Sequence, residues 1–156
     1  MKLLLAIFAL SLCLPILSAK AQNAPAPAAS EPAAKSADTR GLGEIMTLQQ
    51  LRHIKLWFAG HAGNWALADY EVGELNEGFE EVDKLLGGGT VDKMVGAPLK
   101  ELQKAVDDKN STAFAAAYDR LSAGCNACHH ALDHAFIVIQ RPTTLPYSDQ
   151  GFAPAK

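Results

Sequence analysis

Apolar side chains recur at alternating spacings of three and four residues through most of the chain from residue 43 to residue 140. The regularity is clearest in one segment: Trp65, Ala68, Val72, Leu75, Phe79, Val82 and Leu86. Such spacing places the side chains on one face of an α-helix, whereas a half-buried strand would need strict alternation. The pattern therefore predicts an all-α domain in which each helix buries one apolar stripe.

Glycine, asparagine and proline residues divide this region into four predicted helices. The first spans about residues 43–59, and its predicted apolar face consists of Ile45, Leu48, Leu51, Ile54 and Phe58. Asn64 is expected to cap the second helix, which ends at the glycine run 87–89. The third covers about residues 90–108 and is interrupted at Pro98. Asn110 starts the fourth, which is predicted to extend to about residue 140, just before Pro142.

The strongest chemical motif is Cys125-Asn126-Ala127-Cys128-His129. This pattern is typical of a covalent attachment site for c-type haem. Two thiols three residues apart on a helix face the same way and can form thioethers with the two vinyl groups of one haem. His129 follows directly and is predicted to be the proximal ligand of the haem iron.

Two other kinds of site use the same cysteine spacing. Cys125 and Cys128 could form a redox dithiol or disulfide, or they could hold zinc together with two of the nearby histidines His129, His130 and His134. Zinc sites of this type usually combine ligand pairs from separate elements, whereas these residues lie on one predicted helix. A thioredoxin-like dithiol would start a helix beside a parallel sheet, and the sequence shows no βαβ pattern. Haem is therefore the favoured cofactor.

The motif coincides with the apolar stripe of the fourth predicted helix. That stripe consists of Phe114, Tyr118, Leu121, Cys125, Cys128, Leu132, Ala135 and Ile139. Both cysteines fall on it, and His129 lies at its border. We therefore expect an attached haem to lie against the bundle interior.

The first 42 residues are typical of an exported protein. Met1 and Lys2 precede an apolar run over residues 3–17, and a small-x-small cleavage site follows, so residues 1–21 are predicted to be a secretory signal peptide. The run is too short for a stable membrane span, and Cys13 would be lost with it. Residues 22–42 are rich in alanine and proline and are predicted to form a disordered linker. These features indicate a periplasmic protein.

Charge narrows the class of partner. The chain has a formal net charge of −3, and removal of the leader would take away Lys2 and Lys20 and make it more negative. A negative surface disfavours binding to nucleic acid or to an anionic membrane. It suits a partner protein with a basic surface.

In its single exported domain, its four predicted helices and its one Cys-x-x-Cys-His motif on the last helix, the chain resembles the cytochrome c′ family. The resemblance covers about residues 43–140. It implies an antiparallel four-helix bundle with one covalently attached haem c, with Cys125 and Cys128 as thioether sites and His129 as the proximal ligand. It also implies that a homodimer can form.

The chain departs from that family after the motif, which indicates a divergent branch. A longer segment follows His129 than in the family, and Asp133 and His134 occupy the turn where a basic residue is expected. Residues 43–141 are predicted to form the bundle. Residues 142–156 are predicted to be an extension that packs back on it through Tyr147 and Phe152.

The sixth coordination position of the iron has several candidate ligands. If the first and fourth helices are antiparallel, their midpoints meet, and His53 then lies opposite the motif. Met46 is the next candidate, whereas His61 lies in the glycine-rich bend, too far along the chain. A hydrogen-bonded or surface histidine is the ordinary alternative for His53. His130 and His134 are expected to lie at the surface.

Two functions follow from the haem hypothesis. A six-coordinate iron favours a periplasmic electron-transfer cytochrome with a redox partner protein, and a five-coordinate iron behind an apolar wall favours binding of small gases such as NO or CO. A haem-free bundle that holds zinc or a disulfide is a third, weaker alternative. The sequence shows no Ser-His-Asp or paired-carboxylate pattern, so an enzyme is not predicted.

Overall fold

The computed structural model describes residues 41–145 and 147–156. The predicted leader and nearly all of the predicted linker lie outside the described residues. The described part of the chain contains four α-helices and no β-strand: α1 (Leu42–His61), α2 (Trp65–Leu86), α3 (Ala97–Asp107) and α4 (Ser111–Ala131). A π-helical segment, Asp92–Gly96, leads directly into α3. The prediction of an all-α domain is confirmed.

Short polar and glycine signals begin and end the helices. The Asn64 side chain accepts a hydrogen bond from the Leu67 amide at the start of α2, and Asn110 does the same for Ala113 at the start of α4. Gly87, with φ of 90°, ends α2 in the left-handed conformation that glycine adopts without steric cost. The caps predicted at these positions are confirmed.

Helices α1 and α2 pack side by side in opposite directions. Three polar contacts join them: Gln49 Nε2 to the Leu75 carbonyl at 2.8 Å, Arg52 to Glu74 at 2.7 Å, and Lys55 to the fully buried Glu71. As the residue number rises along α1, the number of its partner on α2 falls, so the two helices are antiparallel.

The remaining neighbouring helices also run in opposite directions. Pairs of contacts show this for α1 with α4 (His53 with Ser122, then Trp57 with Phe114), for α2 with α3 and the segment before it (Asp83 with Val91, then Asp69 with Gln103) and for α3 and that segment with α4 (Met94 beside Gly124, then Glu101 with Arg120). The chain thus forms an antiparallel four-helix bundle in which consecutive helices are neighbours and α4 closes against α1. None of the described helices is long and apolar enough to cross a membrane.

The buried face of α1 differs from the predicted one. It consists of Ile45, Gln49, His53, Leu56, Ala59 and Gly60. Ile45 was expected there, but Leu48, Leu51, Ile54 and Phe58 are only half-buried. Apolar spacing does not reveal this face because Gln49 and His53 are polar. Both side chains form hydrogen bonds inside the bundle.

The fourth helix is shorter than predicted, because α4 ends at Ala131 and not near residue 140. Asp133 has a left-handed φ of 60°, and the His134 amide donates to the His129 carbonyl at 2.7 Å. The left-handed residue reverses the direction of the chain. The hydrogen bond gives a partner to one of the backbone carbonyl groups left free at the end of the helix. Leu132, Ala135 and Ile139 therefore do not belong to a helical stripe.

After this reversal the chain runs back along α4 as an irregular segment, which we call the return strap (residues 132–145). Arg141 fixes the far end of the strap: its Nε and Nη2 each lie 2.6 Å from a carboxylate oxygen of Asp119 on α4. The same guanidinium lies over the Trp57 ring, 4.6 Å from its centroid. Farther on, Phe152 is buried against Phe58, with ring centroids 6.0 Å apart.

Candidate functional site

One cavity of about 450 Å³ brings the predicted site residues together. Its walls come from α1, α2, α4 and the return strap, and they include Met46, Gln49, His53, Leu75, Phe79, Val82, Cys125, Cys128, His129, Ile137 and Ile139. The volume lies within the range of about 300–1,000 Å³ that is typical of small-molecule and cofactor sites. The walls are mostly apolar, with a few groups that can bond a ligand.

Cys125 and Cys128 reach this cavity from the inner face of α4 as free thiols. Burial, with a smaller contribution from Cys128, raises the pKa of Cys125 to about 12. Burial also raises the pKa of Cys128, and Asp83 adds to the effect. Both groups are therefore neutral thiols near pH 7. A redox dithiol depends on a lowered pKa of its reactive thiol, so this environment disfavours the dithiol alternative.

The zinc alternative requires at least three ligands that converge. In residues 41–145 and 147–156 no group of three or more His, Cys, Asp or Glu side chains is placed to hold a metal ion. His130 and His134 are exposed, whereas Cys128 is buried. The arrangement thus lacks the ligand set of a structural zinc site.

His129 lies at the cavity wall and is buried at the last turn of α4. Its Nδ1 atom lies 2.8 Å from the backbone carbonyl oxygen of Ile137 in the return strap. A carbonyl can only accept, so Nδ1 carries a proton, and in the neutral imidazole the lone pair is then on Nε2. Histidines that bind metals commonly have this arrangement, in which a second group fixes the tautomer and the ring orientation.

His53 also lies at the cavity wall and is only 5% exposed. Its Nε2 lies 2.9 Å from Ser122 Oγ, and its Nδ1 lies 2.8 Å from the Tyr118 hydroxyl. Both ring nitrogens are thus used within the protein in either tautomer. Iron ligation by His53 would require Nε2 to leave Ser122, so the predicted ligand role depends on a rearrangement at this pair.

The burial of His53 predicts a pH effect on the chain purified without a cofactor. Burial lowers the pKa of His53 from 6.5 to about 4. Below pH 6.5 the unfolded chain therefore binds a proton that the folded chain excludes, and stability falls as the pH drops toward 4. The expected loss is up to about 3 kcal/mol, measured by urea unfolding across this interval. His53→Gln should remove this part of the loss of stability at low pH, whereas His130→Gln, a change at an exposed position, should leave it unchanged.

The two other iron-ligand candidates, Met46 and His61, lie in different places. Met46 lies on α1 at the cavity wall and is half-buried. His61 is exposed, and its ring lies 5.7 Å from Trp57. His134 is exposed but touches the cavity from the return strap. Met46 and His53 are thus the two candidate ligands that α1 brings to the cavity.

A second cavity of about 350 Å³ adjoins the first and shares Gln50, His53 and Ile139 with it. Its walls are more polar, and they include Gln140, Arg141, Thr143 and Thr144 from the return strap. The two cavities together form an apolar compartment beside a polar one.

Several residues that shape the site carried no signal in the sequence. Ser122 and Gln49 are ordinary polar residues on predicted helices, and Ile137 contributes through its backbone carbonyl. These roles depend on contacts between residues far apart in the chain. A local pattern does not report such contacts.

No family model, no curated protein and no solved structure matches the chain.

Proposed function

We propose that the chain is a periplasmic mono-haem c-type cytochrome of a divergent cytochrome c′-like type that carries electrons to or from a partner protein. The observation that carries this proposal is the meeting of Cys125, Cys128 and His129 at one apolar cavity. In addition, the Ile137 carbonyl leaves His129 Nε2 available for a metal.

The residues around the cavity fit haem in their chemistry. The macrocycle is flat and apolar and matches the cavity walls formed by Leu75, Phe79 and Val82. The propionates are anionic and match the adjoining polar cavity, whose walls include Gln140, Thr143 and Thr144. Neutral thiols suit permanent thioether links better than dithiol exchange.

The chain's own groups would then set the properties of the site. When bound, haem supplies a one-electron Fe(III)/Fe(II) couple. Cys125 and Cys128 would hold it on α4, and His129 would ligate the iron. The apolar walls would lower the local dielectric constant, which tunes a redox potential.

Helix α1 brings Met46 and His53 to the same cavity. Ligation by either residue would give a six-coordinate iron and favour electron transfer. One observation supports gas binding as the second candidate: both His53 nitrogens already have partners. If Met46 also stays away from the iron, the sixth position is open to CO or NO.

Optical spectra of the haem-loaded chain test this assignment. We expect a low-spin ferrous spectrum that CO changes little, because a side chain from α1 occupies the sixth position. Met46→Ala and His53→Ala should separate the two candidates, since only loss of the true ligand converts the spectrum to high spin and admits CO. Leu48→Ala, a change on α1 outside the cavity walls, is the control. A wild-type spectrum that is already high spin would favour gas binding.

Export and partner choice belong to the same proposal. Cleavage after residue 21 would place the domain in the periplasm, and N-terminal sequencing of the mature protein tests this. The acidic balance of the chain favours a partner with a basic surface, and such an association should weaken as salt is raised.

A further inference from the structure

Asn126 lies between the two motif cysteines and makes a closed pair of hydrogen bonds with one residue of the return strap. Its Nδ2 donates to the Ile139 carbonyl at 2.9 Å, and its Oδ1 accepts from the Ile139 amide at 2.7 Å. Both backbone groups of Ile139 are satisfied in this way. The geometry is that of two normal hydrogen bonds.

This pair lies two residues from the contact that orients His129. The Ile137 carbonyl accepts from His129 Nδ1 at 2.8 Å. Residues 135–141 form neither helix nor strand, so no regular hydrogen-bond ladder holds that carbonyl in place. The attachment at Arg141 and Asp119 is farther along the strap.

We propose that Asn126 is a positioning residue: its amide clamps the return strap to α4 and thereby holds the Ile137 carbonyl on His129 Nδ1. The clamp explains how an irregular segment can fix the tautomer and orientation of a histidine on the neighbouring helix. The motif thus supplies, besides its two thiols and its imidazole, the residue that orients the imidazole.

The consequence for redox chemistry rests on the proposed function. A firm Nδ1–H···O=C bond makes an imidazole a stronger electron donor, which favours the ferric state of the iron it ligates. Loss of the clamp should therefore shift the midpoint potential to more positive values.

The test compares Asn126→Leu with Asn76→Leu, the same change at an exposed helical position. The full chain is used with and without haem. In the haem-loaded protein, the midpoint potential is measured. In the haem-free protein, the ¹⁵N shifts of His129 report its tautomer, and chymotrypsin reports opening of the strap by cleavage after Phe136, which is 80% exposed.

We expect Asn126→Leu to mix the two His129 tautomers, speed cleavage after Phe136 and raise the midpoint potential, while Asn76→Leu changes none of these. Asn126→Asp keeps the acceptor for the Ile139 amide but loses the donor to the Ile139 carbonyl. It should therefore change the His129 tautomers, the rate of cleavage after Phe136 and the midpoint potential in the same direction as Asn126→Leu. Faster cleavage with unchanged His129 signals would reduce Asn126 to a structural role and overturn the proposal. A wild-type chain without covalent haem would refute the proposed function instead, and the haem-free measurements would still decide the role of Asn126.

Discussion

Replacing both Cys125 and Cys128 with serine is expected to abolish covalent haem. Both thiols open into the same cavity as His129, and they are free. A hydroxyl does not add to a haem vinyl group as a thiol does, so the double variant keeps the fold and the imidazole but loses both links. Protein made in a host with haem-attachment machinery should stay red after acid–acetone extraction when it is wild type. The double variant should lose its colour.

Single variants sharpen this experiment, because Cys125→Ser and Cys128→Ser should each retain one link and one unreacted vinyl group. Their haem should resist extraction, and the α-band should move to longer wavelength. Cys13→Ser is the matched control, since Cys13 falls in the predicted leader and its loss should leave the mature protein unchanged. Colourless wild-type protein, or a double variant that stays red, would contradict the haem proposal.

Local signals were enough to predict the helical architecture. The apolar spacing in α2 corresponds to a helix over Trp65–Leu86, with Asn64 and Gly87 at its ends. These features depend on neighbouring residues, which propensity, capping and amphipathic spacing describe well. The order of the helices in the bundle follows from their short connections.

Errors arose where long-range contacts outweigh local preference. Gln49 and His53 are on the buried face of α1 because Leu75, Ser122 and Tyr118 supply hydrogen bonds from other helices. The apolar spacing around the end of α4 fits a helix to residue 140. The left-handed turn at residue 133 breaks it, and the strap instead bonds Asn126 and His129. No local pattern contains those partners.

The candidate site also combines features that the local sequence predicts with contacts that it does not predict. The motif predicted which residues meet, since Cys125, Cys128 and His129 are adjacent on one helix and line one cavity. It could not predict what lies against them. The partners of His53 and the carbonyl on His129 come from other segments and determine which nitrogen atoms are available to a metal.

Gly124 directly precedes the motif and contacts the π-helical segment, so enlarging it should disturb fold and site together. A Cβ atom at Gly124 would lie 2.6 Å from the Met94 carbonyl oxygen and 3.3 Å from a methyl of Val95. The first contact is with backbone, which cannot rotate away as a side chain would. We expect Gly124→Val to lower the free energy of unfolding by about 2 kcal/mol or more, because α4 must move away from this segment.

Ala123→Val is the matched control, since Ala123 is exposed on the same turn of α4. Intrinsic helix propensity favours valine over glycine but disfavours it relative to alanine, by about 0.5 kcal/mol in each case. Propensity alone therefore predicts that Gly124→Val stabilises the protein and Ala123→Val destabilises it. The packing prediction is the reverse, with a larger loss of stability for Gly124→Val than for Ala123→Val. Urea unfolding of the two variants distinguishes these predictions. Because the displaced segment of α4 carries Cys125, haem retention should fall in Gly124→Val and stay normal in Ala123→Val. A stable Gly124→Val protein with full haem content would show that the π-helical segment does not position the motif.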